Sequence, residues 1–178
     1  MNNKVQFKFL GMDFNVRGYI SEYSDVKHIN VGCVGGGQMV KQYIKQKFPN
    51  EDFKVWVKSE RYSGGSSLRI NISNKDGSKI SEEIFEDIET FGNTLQWGNF
   101  NGMIDYYEPK EVTHYSKSGD ELCFSTSYVF TSNKPPYGTK EYELNEQLKL
   151  ELVWVTKRNK TKKSETGMEQ SLWKKWLI

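Results

Sequence analysis

Between residues 53 and 73 the sequence reads FKVWVKSERYSGGSSLRINIS, two runs of alternating apolar and polar residues separated by small ones. Phe53, Val55 and Val57 share one side of the first run, and Leu68, Ile70 and Ile72 share one side of the second. A period of two is the pattern of a strand half-buried on a sheet, and the serines and glycines between the runs are turn residues. The stretch therefore predicts a β-hairpin. No other feature constrains the fold as much, because its apolar face needs a cover. The same alternation sends Lys54, Trp56, Lys58, Arg69, Asn71 and Ser73 to the opposite face. For the turn itself two readings stay open: a tight connection whose serines bond locally, or a glycine-rich nest of backbone N–H groups that grips an anion.

The cover is supplied on both sides of the hairpin. Before it, QMVKQYIKQKFP places Val40, Tyr43, Ile44 and Phe48 at helical spacing, with Lys41, Lys45 and Lys47 mostly on other faces and Pro49 as the stop. The segment VGCVGGG reads as a glycine-rich entry to that helix. After the hairpin, NKDGS is a turn, Ser78 or Ser81 is a helix cap, and Ile80, Ile84, Ile88 and Phe91 form a buried stripe ending at Gly92. Residues 5–20 hold Val5, Phe7 and Phe9, then Gly11 and Asp13, then Phe14 and Val16, which predicts an N-terminal hairpin. ELCFSTSYVFTS is strand-like, and LKLELVWVT fits either type, with Val153, Trp154 and Val155 tilting it toward strand. The fold class expected is α+β, a mainly antiparallel sheet with a central α-β-β-α unit, an N-terminal hairpin and a basic C-terminal extension. One domain is expected over residues 1–156, followed by a tail over 157–178 in which five of the seven residues from Lys157 to Lys163 are basic.

Composition narrows the function classes. In 178 residues, five Trp, ten Tyr and ten Phe offset a lean 36% hydrophobic share. No apolar run approaches the roughly 18 residues needed to cross a bilayer, and the N-terminus lacks the apolar core of a signal peptide, so an intracellular protein with no membrane partner is expected. Cys33 and Cys123 have no CxxC spacing, which suggests neither a disulfide framework nor a zinc knuckle. Glycines 35–37 ahead of a helix suit phosphate, but no GxxxxGK[ST] or GxGxxG pattern accompanies them. His28 and His114 stand in no Ser, Cys or carboxylate constellation that spacing reveals, and Asp105 lacks a partner acid. No catalytic residue, metal or cofactor is expected.

The polar face of the hairpin is more pointed. Trp stacks on a base while Lys and Arg meet phosphates, the combination used by binders of single-stranded nucleic acid. Two readings stay open for Trp56: an exposed stacking platform, or core beneath another segment. The second helix carries Glu82, Glu83, Glu86, Asp87 and Glu89, either a solvated surface favoured by the helix dipole or a mimic of a phosphate backbone.

Three blocks, KQKFPNEDFKVWVKSERYSGGSSLRINIS, FNGMIDYY and LCFSTSYVFTSNKPPYG, occur in an order that resembles the large polyvalent protein-associated domain 29 family over about residues 38–138. The family pattern has a Trp-Thr-Asp-Gly-Pro turn where this chain has ISNKDGS, and an aspartate where it has Asn101. The resemblance implies a protein of phages or mobile elements, acting in the cytoplasm of a bacterial host. The function expected is a non-enzymatic inhibitor of a host nucleic-acid-targeting defence, of the anti-CRISPR type, contacting the effector protein, its guide RNA, or both. The alternative is a general accessory protein for single-stranded nucleic acid. The residues expected to make contact are Lys54, Trp56, Lys58, Arg61, Tyr62 and Arg69, with Lys157, Arg158, Lys160, Lys162 and Lys163 assisting.

Overall fold

A computed structural model describes residues 3–23, 25–101, 103, 106–109, 113–153 and 155–156. Lys4–Phe9 (β1) and Met12–Arg17 (β2) form the expected N-terminal hairpin, turning through Leu10 and Gly11 at φ 50° and 78°. Positive φ at both central residues matches the primed turns that follow the natural twist of paired strands. Tyr19–Tyr23 (β3) and Val26–Val31 (β4) pair antiparallel, and Cys33–Lys47 (α1) follows. Lys54–Tyr62 (β5) and Gly65–Ser73 (β6) are the central hairpin, and Glu82–Thr94 (α2) completes the α-β-β-α unit. Gly98–Asn101 (β7) pairs with Tyr106–Pro109 (β8). His114–Tyr115 (β9), Glu121–Phe124 (β10) and Tyr128–Ser132 (β11) end the strand series.

The architecture is α+β with mostly antiparallel pairing. Parallel strand pairings tie it together: β10 lies beside β4 in the order β3-β4-β10-β9, and β11 lies beside β6 in the order β11-β6-β5. Residues 121–132 thus serve two sheets in succession. The core gathers Phe14 and Val16 from the first hairpin, Met39, Val40 and Tyr43 from α1, Leu68, Ile70 and Ile72 from β6, and Ile88, Phe91 and Leu95 from α2. Leu68, Ile70 and Ile72 are fully enclosed, and burying a side chain of this size favours folding by about 1.5–3 kcal/mol. Tyr43 stacks on Phe91 at 3.9 Å, and its hydroxyl donates to Asp87 Oδ2 at 2.7 Å while accepting from Lys47 Nζ at 3.0 Å. Lys47 also pairs with Asp87, so this cluster clasps α1 to α2.

Helix α1 covers the free edge of β2 through its side chains. Gln38, Gln42 and Gln46, spaced four apart, accept from the backbone N–H groups of Arg17, Asn15 and Asp13 at 2.7, 3.0 and 3.3 Å. The Gln42 and Gln46 amides also donate to the carbonyls of Asn15 and Asp13, both at 2.8 Å. Four helical residues rise about 6 Å and two strand residues about 6.8 Å, so the repeats nearly match. The small mismatch fits the steady lengthening of the three N–H contacts. An open strand edge is thereby satisfied without another strand.

Three details correct the sequence reading. Glycines 35–37 lie inside α1, which begins at Cys33, because the first turn presses against the end of β2: a Cβ on Gly35 would lie 2.1 Å from the Arg17 carbonyl oxygen. Gly92 is an interior residue of α2, packed where a Cβ would meet Ile70 at 3.2 Å. LKLELVWVT, which fits either type with a tilt toward strand, lies in a helix over 140–153 (α3), since Glu, Leu, Lys and Gln propagate a helix more readily than Val153 opposes it.

The chain divides into two compact units, Met1–Pro136 and Tyr137–Ile178. In the second, Thr139 opens α3 with its hydroxyl accepting from Tyr142 N–H at 3.3 Å, and Tyr137 packs edge-on against Tyr142. Among the described residues no helix is long and apolar enough to cross a membrane.

Candidate nucleic-acid interface

The register of the three-stranded sheet decides which side chains share its outer face. On β5, Lys54, Trp56, Lys58, Glu60 and Tyr62 alternate with Val55, Val57, Ser59 and Arg61. Lys58 lies opposite Arg69, and Arg69 lies beside Phe130 of β11. Lys54, Lys58 and Arg69 are exposed, Trp56 is half-buried, and Phe130 and Tyr62 are each about half exposed, at 52% and 48%. The indole thus lies on the outer face with exposed lysines on either side. Phe130 stacks with Tyr128 at 6.3 Å and an interplanar angle of 11°, and the Arg69 guanidinium lies 5.7 Å over the Phe130 ring. A flat aromatic pair with a cation held above it results.

Glu60 sits among these cations, its carboxylate 2.7 Å from Lys58 and 3.9 Å from Arg69. The Lys58 hydrogen bond, then its charge, holds the Glu60 carboxyl below the usual range. Partial burial, then the neighbouring Tyr128 and Glu60, push the Tyr62 hydroxyl up, so the phenol stays neutral at physiological pH. Ser73, expected on this face, is fully buried and donates to the Asn74 carbonyl.

Arg61 does not belong to this patch. Its odd place on β5 turns it to the opposite face, toward the start of α1, where it lines a cleft of about 250 Å³ with Arg17, Asn30, Gly32 and Ser125. Among the described residues, no acidic side chain lines that cleft. Lys157, Arg158, Lys160, Lys162 and Lys163 lie outside the described residues, as do Asp105, Trp173 and Trp176.

The turn that closes the hairpin is a tight connection, and Ser66 just after it is engaged. Gly64 has φ 93°, as the third position of a type II turn requires. Ser66 and Ser67 are buried, and Ser66 exchanges bonds with Ser127 and donates to the Ser125 carbonyl at 3.3 Å. On the acidic helix, Asp87 is bound to Tyr43 and Lys47, and Glu89 accepts from Thr131 at 2.6 Å. Glu82, Glu83 and Glu86 remain at the surface.

His28 is not isolated, contrary to its spacing. The parallel pairing of β4 with β10 sets it opposite Glu121, with Nδ1 3.3 Å from Glu121 Oε2 and 3.8 Å from Cys123 Sγ. Burial, then the charge of Glu121, push the Cys123 thiol up. His114 instead packs half-buried between Phe9 and Phe124, both centroids 5.4 Å away.

Searches among curated proteins and among solved structures gave no match. The family model described as large polyvalent protein-associated domain 29 matches residues 36–138, which take in most of α1 and everything through β11. That span is more than half of the chain, and the chain belongs to this family.

Proposed function

We propose that the chain binds single-stranded nucleic acid across the outer face of β5, β6 and β11, and that it uses this contact against the guide RNA of a host defence effector. The observation that carries the reading is the Arg69 guanidinium poised over Phe130, itself stacked on Tyr128, with Trp56, Lys54 and Lys58 on the same face. Aromatic side chains receive bases at about 1–3 kcal/mol each, and cations beside them meet the phosphates between those bases. Glu60 holds Lys58 and Arg69 in position and leaves the face cationic on balance, with three basic side chains against one acid. The setting comes from the family, which is associated with phages and mobile elements.

The test is fluorescence anisotropy with a labelled single-stranded RNA of about a dozen nucleotides. Three phosphate contacts predict a slope of about −2 in log affinity against log salt. Trp56→Ala and Phe130→Ala each weaken binding about fivefold or more, and a complementary duplex competes poorly. Absence of binding at low salt refutes the RNA contact. Pull-down from a bacterial lysate, with and without nuclease, then separates capture of an effector through its RNA from direct capture of the protein.

A further inference from the structure

On the other sheet, away from the face just described, His28, Glu121 and Cys123 bring three donor atoms close together. The three atoms lie within 4.8 Å of one another and come from neighbouring parallel strands, so backbone hydrogen bonds fix their spacing. Their geometry distinguishes three chemistries.

A nucleophile–base–acid relay is excluded first. Such a relay needs the thiol and the carboxylate on opposite nitrogens of the imidazole, because one nitrogen accepts a proton while the other donates. Here Nδ1 faces both Glu121 Oε2, at 3.3 Å, and Cys123 Sγ, at 3.8 Å. A plain ion pair accounts for the carboxylate, and strand alternation puts Cys123 on the same face as Glu121, so a nitrogen, an oxygen and a sulfur donor end side by side. A cation between them would engage all three. Zinc binds nitrogen and carboxylate oxygen at about 2.0–2.2 Å and sulfur at about 2.3 Å, so a tetrahedral site has donor separations of about 3.4 Å for N and O and about 3.6 Å for N and S. The two separations from Nδ1, 3.3 and 3.8 Å, stand close to these values, and the oxygen and sulfur lie within 4.8 Å of each other.

We propose that His28, Glu121 and Cys123 form a binding site for a borderline-soft divalent cation, zinc by its donor set, with the fourth coordination position open. Glu121 and Cys123 both line a cleft of about 190 Å³, which gives an ion or a fourth ligand a route in. Mixed nitrogen, sulfur and oxygen donors select zinc over calcium or magnesium, which prefer oxygen alone. When the sulfur–metal bond forms, the thiol proton leaves to the buffer. Cys33 takes no part, since it is buried in α1 with its sulfur toward the Glu60 carbonyl.

The test uses the full chain, stripped with a chelator, dialysed under reducing conditions and titrated with Co²⁺ as a spectroscopic stand-in and then with Zn²⁺. The expected result is one ion per chain, the strong visible bands of four-coordinate cobalt, a thiolate charge-transfer band in the near ultraviolet, and displacement of cobalt by zinc. Cys123→Ser removes the charge-transfer band, and His28→Gln weakens zinc affinity by about a hundredfold or more, beyond what loss of a supporting contact costs. Both side chains are partly exposed and both replacements are polar, so circular dichroism should match the parent. Glu121→Gln supplies a third, milder variant. No saturable binding by the parent protein overturns the proposal, and so does a charge-transfer band that survives Cys123→Ser, because the sulfur would then be Cys33.

Discussion

The glutamine ladder between α1 and β2 makes a quantitative prediction. Gln42 makes two bonds to the Asn15 backbone, and the three rungs together make five. A hydrogen bond contributes about 0.5–1.5 kcal/mol net, and these lie at the surface, where water replaces a lost partner, so the lower end applies. Gln42→Ala then removes about 1 kcal/mol, less the few tenths by which Ala favours a helix. Replacing Gln38, Gln42 and Gln46 together removes about 2–3 kcal/mol, and for a chain of this size the Tm falls by about 4–12 °C. Gln42→Glu separates shape from bonding: it keeps the acceptor for Asn15 N–H but sets a second oxygen against the Asn15 carbonyl, so it destabilises at least as much as Ala. The assay is thermal and urea unfolding followed by circular dichroism. A triple variant with a Tm within about 1 °C of the parent refutes the ladder as a stabilising element.

Gly35→Ala destabilises by about 2 kcal/mol or more, although Gly→Ala inside an exposed helix usually helps by about 1 kcal/mol, because the new methyl meets the Arg17 carbonyl oxygen, which is backbone and cannot swing away; thermal unfolding reads the sign. Tyr43 is raised chiefly by burial and Lys47 chiefly by its bond to Asp87, so both favour their protonated forms in the fold. Their contribution is fully present below the unfolded values near 10 and is lost as pH rises through the folded ones, so urea midpoints fall above about pH 10 and Lys47→Met flattens that fall while costing about 1 kcal/mol at neutral pH. Arg61→Ala leaves single-stranded RNA affinity within about twofold of the parent, since the guanidinium lies on the far side of the sheet from Trp56; a loss as large as that of Trp56→Ala in the anisotropy assay refutes the assignment of faces.

Local periodicity made the two hairpins and the two helices flanking the second one legible. Strands with period two and helices with period 3.6 announce which side chains share a face, and Val5, Phe7, Ile70 and Ile88 obey. Alternation alone also separates Arg61 from Trp56 and brings Glu60 onto the outer face. Phe130 joins that face through a parallel pairing of β6 with a strand some sixty residues later, which no local pattern encodes. His28 and Cys123 meet for the same reason, across 95 positions. Glycines 35–37 mislead because their role is proximity: they look like a phosphate-holding entry to a helix until Arg17 is placed against Gly35 and Val57 against Gly37. The tilt toward strand near Val153 misleads because Val153 and Val155 are outweighed by the helix formers before them.

The double duty of residues 121–132 bears on how the molecule is made. Until that segment leaves the ribosome, β4 and β6 each lack a parallel neighbour, and both pairings must close loops spanning much of the chain. Nascent protein should therefore dwell in a half-zipped state with sticky borders, the kind of intermediate that chaperones attend. One late stitch then locks both sheets at once, so a lesion in that stitch cripples assembly of regions far from it.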